Sequence, residues 1–309
     1  MSSKQLHITN GSVLTNYLET LDFSGDFITW EEMLCEGPTE IDLISDFALQ
    51  KRCAFFSETY NIEFDIAKFK AGIDKLNQAN HYDEIVLWFE YDLFCHLNMA
   101  AVITLITQKK ISKPLSLVCS GRVKGKKNLC GLAELSSKEL KKHYDKRITL
   151  TEEDIDYAST IWQIYCGRDH NLLKPYIVKS SSFKYMSNCL KAHLERFPDS
   201  VDGLNILERN ILEIVRDENV HSKHHLLGYA LNYQGFYGFG DLQIERLIDK
   251  LSIFILEESN KLELNRKGHE ALLGQHNFFK ELNNNLIFGG VEKHDFQFNK
   301  KLNKLIKTV

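Results

Sequence analysis

Several punctuating or stapling features are missing from this chain. It has 4 prolines in 309 residues, the last at Pro198, so no proline interrupts a helix anywhere in its final third. Its seven cysteines are an odd number and form no CxxC pair. That argues against both a disulfide framework and a structural zinc, and for reduced thiols that pack as small hydrophobes in the cytoplasm. No apolar run is long enough to cross a bilayer; the longest, at 97–106, is broken by Asn98 and Thr104. The amino-terminal residues lead into a strand-like stretch rather than a signal-peptide h-region. The net charge of −4 and pI near 6.3 give no overall positive field for a nucleic acid, so that partner is disfavoured. Also missing are GxGxxG, GxxxxGK[ST] and the GxSxG nucleophile elbow.

What is present is an alternation of buried-strand and helix patterns. Residues 6–9, 26–30, 85–89 and 115–119 read as strands. Helical spacing follows at 13–21, 41–60, 65–76 and from Asp92 to about 109. The run at 85–89 is apolar without interruption, as expected of a strand covered on both faces. Strands alternating with long helices predict a parallel sheet with right-handed crossovers. Residues 1–150 are therefore expected to form an α/β, Rossmann-like three-layer domain, with a short strand near 147–150 extending the sheet. From Thr151 the character is mainly helical. Within it, helices at 204–215, 222–232 and 241–251 followed by two short strands around residues 258–260 have the order of a winged-helix-like module, at about 203–275.

Three segments carry candidate chemistry. The first is His7-x-Thr9-Asn10-Gly11-Ser12, where a strand turns into a helix. Amides at a helix start favour an anion, glycine admits a close ligand, and Ser12 can cap the helix or touch the ligand. Such a turn also exists for its own sake, with His7 simply buried. The second is "WEEMLCEGP" (30–38), in which Glu31, Glu32 and Glu36 follow a strand; it reads equally as a solvated acidic loop. The third is "WFEYDLFCH" (88–96), where Glu90 and Asp92 stand at a strand's carboxyl end. Asp92 can equally cap the next helix while Glu90 pairs with a base such as Arg52. In a parallel sheet these segments converge at one edge. Such a cleft would hold His7, Glu36, Glu90 and Asp92 as candidate catalytic groups, with Thr9, Asn10, Gly11, Ser12, Glu32 and Arg52 as ligand-binding ones. A divalent metal is compatible with so many carboxylates but not required. The basic loop "SGRVKGKKN" (120–128) could hold a phosphate or merely face solvent, and "HSKHH" (221–225) suits a helix start better than a metal.

The ordered blocks "HITNGSV", "WEEMLCEGP", "LWFEYDL", "GLAEL", "GLNILERNIL" and "GFGD" resemble those of a bacterial family catalogued as domain of unknown function 1835. The resemblance spans most of the chain and implies no established activity. It departs at two positions: Ser12 stands where an acid is usual, and Glu31 where a base is usual.

Two functions of different class follow from these readings. One is a small phosphorylated or nucleotide-like ligand bound at the strand ends, with hydrolase or transferase chemistry. The other is a ligand-sensing regulatory or interaction protein acting through the C-terminal module. The expected recognition helix, "DLQIERLIDKL", is nearly charge-balanced, which favours contact with protein over DNA.

Overall fold

The computed structural model describes residues 4–258 and 260–308. The first part runs β1 (Gln5–Asn10), α1 (Ser12–Glu19), β2 (Gly25–Trp30), the two-residue β3 (Gly37–Pro38), α2 (Asp46–Tyr60), α3 (Ile66–Asp74), β4 (Glu84–Phe89), α4 (Leu93–Gln108), β5 (Leu115–Cys119), the hairpin strands β6 (Gly121–Arg122) and β7 (Leu129–Cys130), α5 (Ser137–Asp145) and β8 (Ile148–Thr149). The main sheet has the order β2-β1-β4-β5-β8. Its first four strands are parallel. The short edge strand expected near 147–150 is there, but β8 runs antiparallel to β5. Register aligns Asn10 with Trp30 and Thr9 with Trp88, so the carboxyl ends of β1, β2 and β4 lie side by side.

Alternation along β4 explains why its sequence is apolar throughout. Ile85, Leu87 and Phe89 belong to the larger core, whereas Val86 and Trp88 pack with Leu14 and Leu18 of α1 and Leu140 of α5. Helices therefore cover both faces of the sheet. On the larger side lies α4, in which Leu93 and every residue from Cys95 to Ile106 are buried. A helix so largely apolar must be enclosed, and its outer side is covered by α6 (Glu152–Tyr165). That helix begins with a capping box, Thr151 with Asp154. After it come α7 (Lys174–Val178) and α8 (Met186–Glu195), and the buried Ile161, Trp162 and Leu190 share one core with the sheet residues Ile8 and Leu87. Residues on both sides of position 150 thus contribute to one core.

The C-terminal region continues with α9 (Ile206–Asp217), α10 (Lys223–Tyr233), α11 (Asp241–Lys250), an antiparallel pair β9 (Ile255–Glu258) and β10 (Lys261–Leu264), and α12 (Arg266–Leu272). A later strand, β11 (Ile287–Gly289), returns to pair in parallel with β3, Phe288 opposite Gly37. One helix expectation is corrected. The helix read at 41–60 starts only at Asp46, because the Ser45 hydroxyl accepts the Ala48 N–H at 3.2 Å and fixes the start there. The histidine-rich 221–225 segment is indeed a helix start, with Ser222 as the cap of α10.

Candidate functional site

In a doubly wound sheet of this strand order, ligands bind where the order reverses, between β1 and the strand beside it. Here that point lies between β1 and β4, and a cleft of about 830 Å³ opens at the strand ends. Asn10 and Gly11 come from the first candidate segment, Trp30 and residues 31–33 from the second, and Glu90 and Phe94 from the third. Ala133, and residues 240–243 at the start of α11, close it from the other sides.

Gly11 shapes the entrance. Its φ of 92° belongs to a region disfavoured for residues with a Cβ, and a Cβ there would meet nothing within 4 Å. Its N–H donates to the Trp30 carbonyl at 3.0 Å, tying the ends of β1 and β2. Gly11, not Ser12, is the cap of α1, and no side chain caps that helix. Ser12 is the first helical residue and is exposed. Its expected capping role is therefore corrected. The first-turn amides of α1 have no intrahelical acceptor, and residues 11–14 line the cleft, Val13 among them with 73% exposure.

Asn10 links the strand end to α4. Its Oδ1 accepts from Asn98 Nδ2 at 2.8 Å, and its Nδ2 lies 3.1 Å from Cys95 Sγ. Asn98 also donates to the Glu32 carbonyl at 2.7 Å and accepts the Leu34 N–H at 3.1 Å, so one buried amide pair positions two of the three segments.

Glu90 lines the cleft, but its partner is not the expected Arg52. Its Oε1 accepts the Leu132 N–H at 2.5 Å, and a Cβ on Gly131 would stand 2.7 Å from that oxygen. The "GLAEL" glycine thus lets a backbone turn wrap the carboxylate. Burial pushes the Glu90 carboxyl above the usual carboxylate range, against the pull of the Leu132 and Ala133 amides. Asp92 caps α4 as expected, accepting the Cys95 N–H at 2.8 Å. Burial, reinforced by the Glu90 charge, raises its carboxyl to about 7. It is sealed by the "GFGD" segment: a Cβ on Gly238 would stand 2.2 Å from Asp92 Cγ, while the Leu93 and Phe94 amides donate to the Phe236 and Tyr237 carbonyls at 2.7 and 3.1 Å.

Five expected site residues are not brought to the cleft: Asp92, buried as the cap of α4 beneath Gly238, and four more. His7 is fully buried in β1. Trp88 Nε1 donates to its Nδ1 at 3.1 Å, its Nε2 faces the Ser24 carbonyl at 3.3 Å, and Phe27 stacks on it at 4.9 Å. Burial lowers its pKa and keeps the ring neutral. Thr9 is buried too, its hydroxyl 2.6 Å from that of Thr15. Glu36 is buried against the Tyr60 hydroxyl, away from the cleft. Arg52, 1% exposed, is spent inside the protein: it forms a two-pronged pair with Glu32 at 2.8 and 3.3 Å and donates to the Glu36 and Met33 carbonyls at 2.6 and 3.0 Å. Glu32 keeps an edge on the cleft, with its charge already matched.

Glu90, Asp92 and Cys95 place one ligand atom each within 4.8 Å of one another. That donor set fits a metal poorly. Both carboxylates already accept amides, and burial holds the Cys95 thiol protonated, well above its ordinary range. Sequence reasoning missed the apolar walls Val13, Phe56 and Phe94 and the start of α11. A signal existed in the apolar Val13, two residues after the cap glycine, where a solvated first turn would be polar.

No family model matches the chain, and no curated protein does. Among solved structures it is similar to the aspartate aminotransferase of Plasmodium falciparum at 10% identity and a TM-score of 0.21, over 89% of this chain and 70% of that one. A likeness this slight carries no argument about fold or activity.

Proposed function

We propose that the protein binds a small phosphorylated, nucleotide-like ligand in the cleft at the strand ends. The observation that carries this reading is the uncapped start of α1, whose first residues line a cleft at the topological switch point. Phosphate would sit on the first-turn amides. A ring would lie among Trp30, Phe56 and Phe94, and ligand hydroxyls would donate to Glu31 or Glu90. Among the described residues no Lys, Arg or His lines this cleft, so the amides supply the positive field for an anion and the carboxylates select the donor-rich remainder of the ligand. Glu90 is the proton-carrying candidate for hydrolysis or group transfer, because a carboxyl raised by burial and facing a cleft is poised for it. The kinship with the 1835 family belongs to this proposal, supported by the meeting of five of its motif blocks around the cleft.

A thermal-shift screen of nucleotides and sugar phosphates, with and without Mg²⁺, tests the reading. A ligand at 100 times its Kd stabilises by about 2.7 kcal/mol, a rise of several degrees in melting temperature. No shift with any of these classes would overturn it.

The second reading, a regulatory interaction protein, is favoured by one observation: the start of α11 lines the cleft. We propose α9 to α11 with the β9–β10 pair as a winged-helix-like module whose third helix responds to the ligand. On its exposed face Asp241, Glu245 and Asp249 outweigh Lys250, while Arg246 turns inward to Asn284 at 2.8 Å. That charge suits a protein partner rather than a phosphate backbone. Salt-sensitive binding to random duplex DNA would reverse the assignment.

A further inference from the structure

A second cavity, of about 350 Å³, lies off the cleft at the β5–β8 edge of the sheet, between the 120–128 loop, α5 and the start of α8. Its lining reverses the charge of the molecule. Arg122, Lys124, Lys142, Lys146 and Lys184 converge on it in a protein of net charge −4. None of the five is within salt-bridge distance of a carboxylate among the described residues; the nearest ion pair on α5 joins Lys126 to Glu139. Glu139 is the one acid in the lining, and it is committed to the capping box of α5 through Ser136. Like charges gathered around a concavity without counter-charges repel one another and gain from a shared anion.

Two further observations mark the cavity as built. Ser120 is 2% exposed and forms part of the wall, and its hydroxyl has no hydrogen-bond partner. A buried unpaired hydroxyl costs stability unless something satisfies it. The loop is also anchored. The Arg122 N–H donates to the Tyr185 hydroxyl at 2.8 Å, and Arg122 Nη1 donates to the Lys127 carbonyl at 2.8 Å. Tyr185 lies directly beneath Gly121, where a Cβ would stand 2.3 Å from its hydroxyl.

We propose that this cavity is a ligand site, separate from the cleft, for a small molecule bearing at least two phosphate charges. Its volume fits a small ligand rather than a polymer, and its cations match a polyanion rather than a single carboxylate.

Calorimetric titration with pyrophosphate tests the assignment. The expected result is one saturable site, weakened about tenfold or more by the double variant Lys142→Gln/Lys184→Gln. Both side chains are exposed, so the melting temperature without ligand should not change. Val13→Asp, placed in the cleft, should leave pyrophosphate affinity unchanged, which separates this site from the nucleotide-like one. Ser120→Ala should not lower stability in the absence of anion, because its hydroxyl has no partner to lose. No saturable binding, equal affinity in the double variant, or loss of binding in Val13→Asp would each overturn the proposal. So would a random duplex that binds more tightly than pyrophosphate and depends on the same lysines.

Discussion

Arg52 and Asp92 show how far a residue's chemistry can be read from its letter. Asp92 looked like a site residue because an acid at a strand end is costly unless used, and Arg52 because it was the base expected to lie beside the cleft and pair with Glu90. Both are used, but inwardly. Arg52 stacks on Phe55 and Phe56 at 5.0 and 4.8 Å and holds Glu32 in a pair with 1% side-chain exposure on each partner. Arg52→Met would leave the Glu32 charge buried and alone, a loss of about 3–5 kcal/mol. Adding Glu32→Gln should restore much of it. Urea unfolding of the two variants decides this, and a cost under about 1 kcal/mol for the single change would refute a structural role. Asp92 behaves in the opposite sense. Its carboxyl titrates near 7 in the folded state against 3.8 for the free group, so folding retains a proton between those values. Its contribution is most favourable below pH 4 and is lost as pH rises through 7. Asn caps a helix about as well as Asp and carries no charge. Asp92→Asn should therefore gain on the wild type as pH rises, reaching roughly 2–4 kcal/mol at pH 8. A stability difference that stayed flat from pH 4.5 to 8 would exclude this account.

Between residues and the whole molecule, the elements are the most legible part of the sequence. Apolar runs located the four parallel strands, and Asp92, Thr151 and Ser222 marked helix starts correctly, because strand burial and N-capping are local physics. What stayed hidden was pairing. β8 is two residues long, and nothing in so short a segment states its direction. β3 and β11 are two and three residues long and some 250 residues apart, so neither shows a periodicity. The role of the "GFGD" segment was hidden for a related reason: it acts by what it covers. Gly238 has φ of 68° and lies against the Asp92 carboxylate. Gly238→Ala would combine backbone strain of about 1 kcal/mol with a side chain pressed into a buried acid. The 236–240 segment should lift from the start of α4. The expected outcome is faster amide exchange at Leu93 and Phe94, whose donors this segment satisfies, and weaker ligand binding in the cleft. Unchanged exchange at those two amides would show that the segment does not close the site.

Across the whole molecule, several polar contacts between the two halves are buried, which bears on whether residues 1–150 are a domain in the folding sense. The Tyr165 hydroxyl lies 2.9 Å from the Leu34 and Cys35 carbonyls, and Arg196 donates to the latter at 2.6 Å. Arg196 also donates to His193 Nδ1 at 2.8 Å. His193 Nε2 then faces His170 Nδ1 at 2.8 Å, and His170 Nε2 faces the Tyr165 carbonyl at 2.8 Å. With an arginine donating at one end, both histidines are neutral. Burial agrees, lowering His170 to about 4 and holding His193 well below its ordinary range. Cutting the chain at 150 would strip these donors from the 34–35 carbonyls and uncover the outer side of α4, a largely apolar helix buried on nearly every side. Exposed carbonyls alone can turn to water, but a largely apolar helix cannot. A 1–150 fragment is therefore expected to aggregate or to remain loosely packed, with helical far-ultraviolet dichroism but no cooperative melt. Co-expression with residues 151–309 should restore a single transition, since the missing surface is supplied without a covalent link. A fragment that melted cooperatively by itself would mean that α4 can repack against the sheet alone. The cleft would then belong to an autonomous domain, with α11 serving only as its cover.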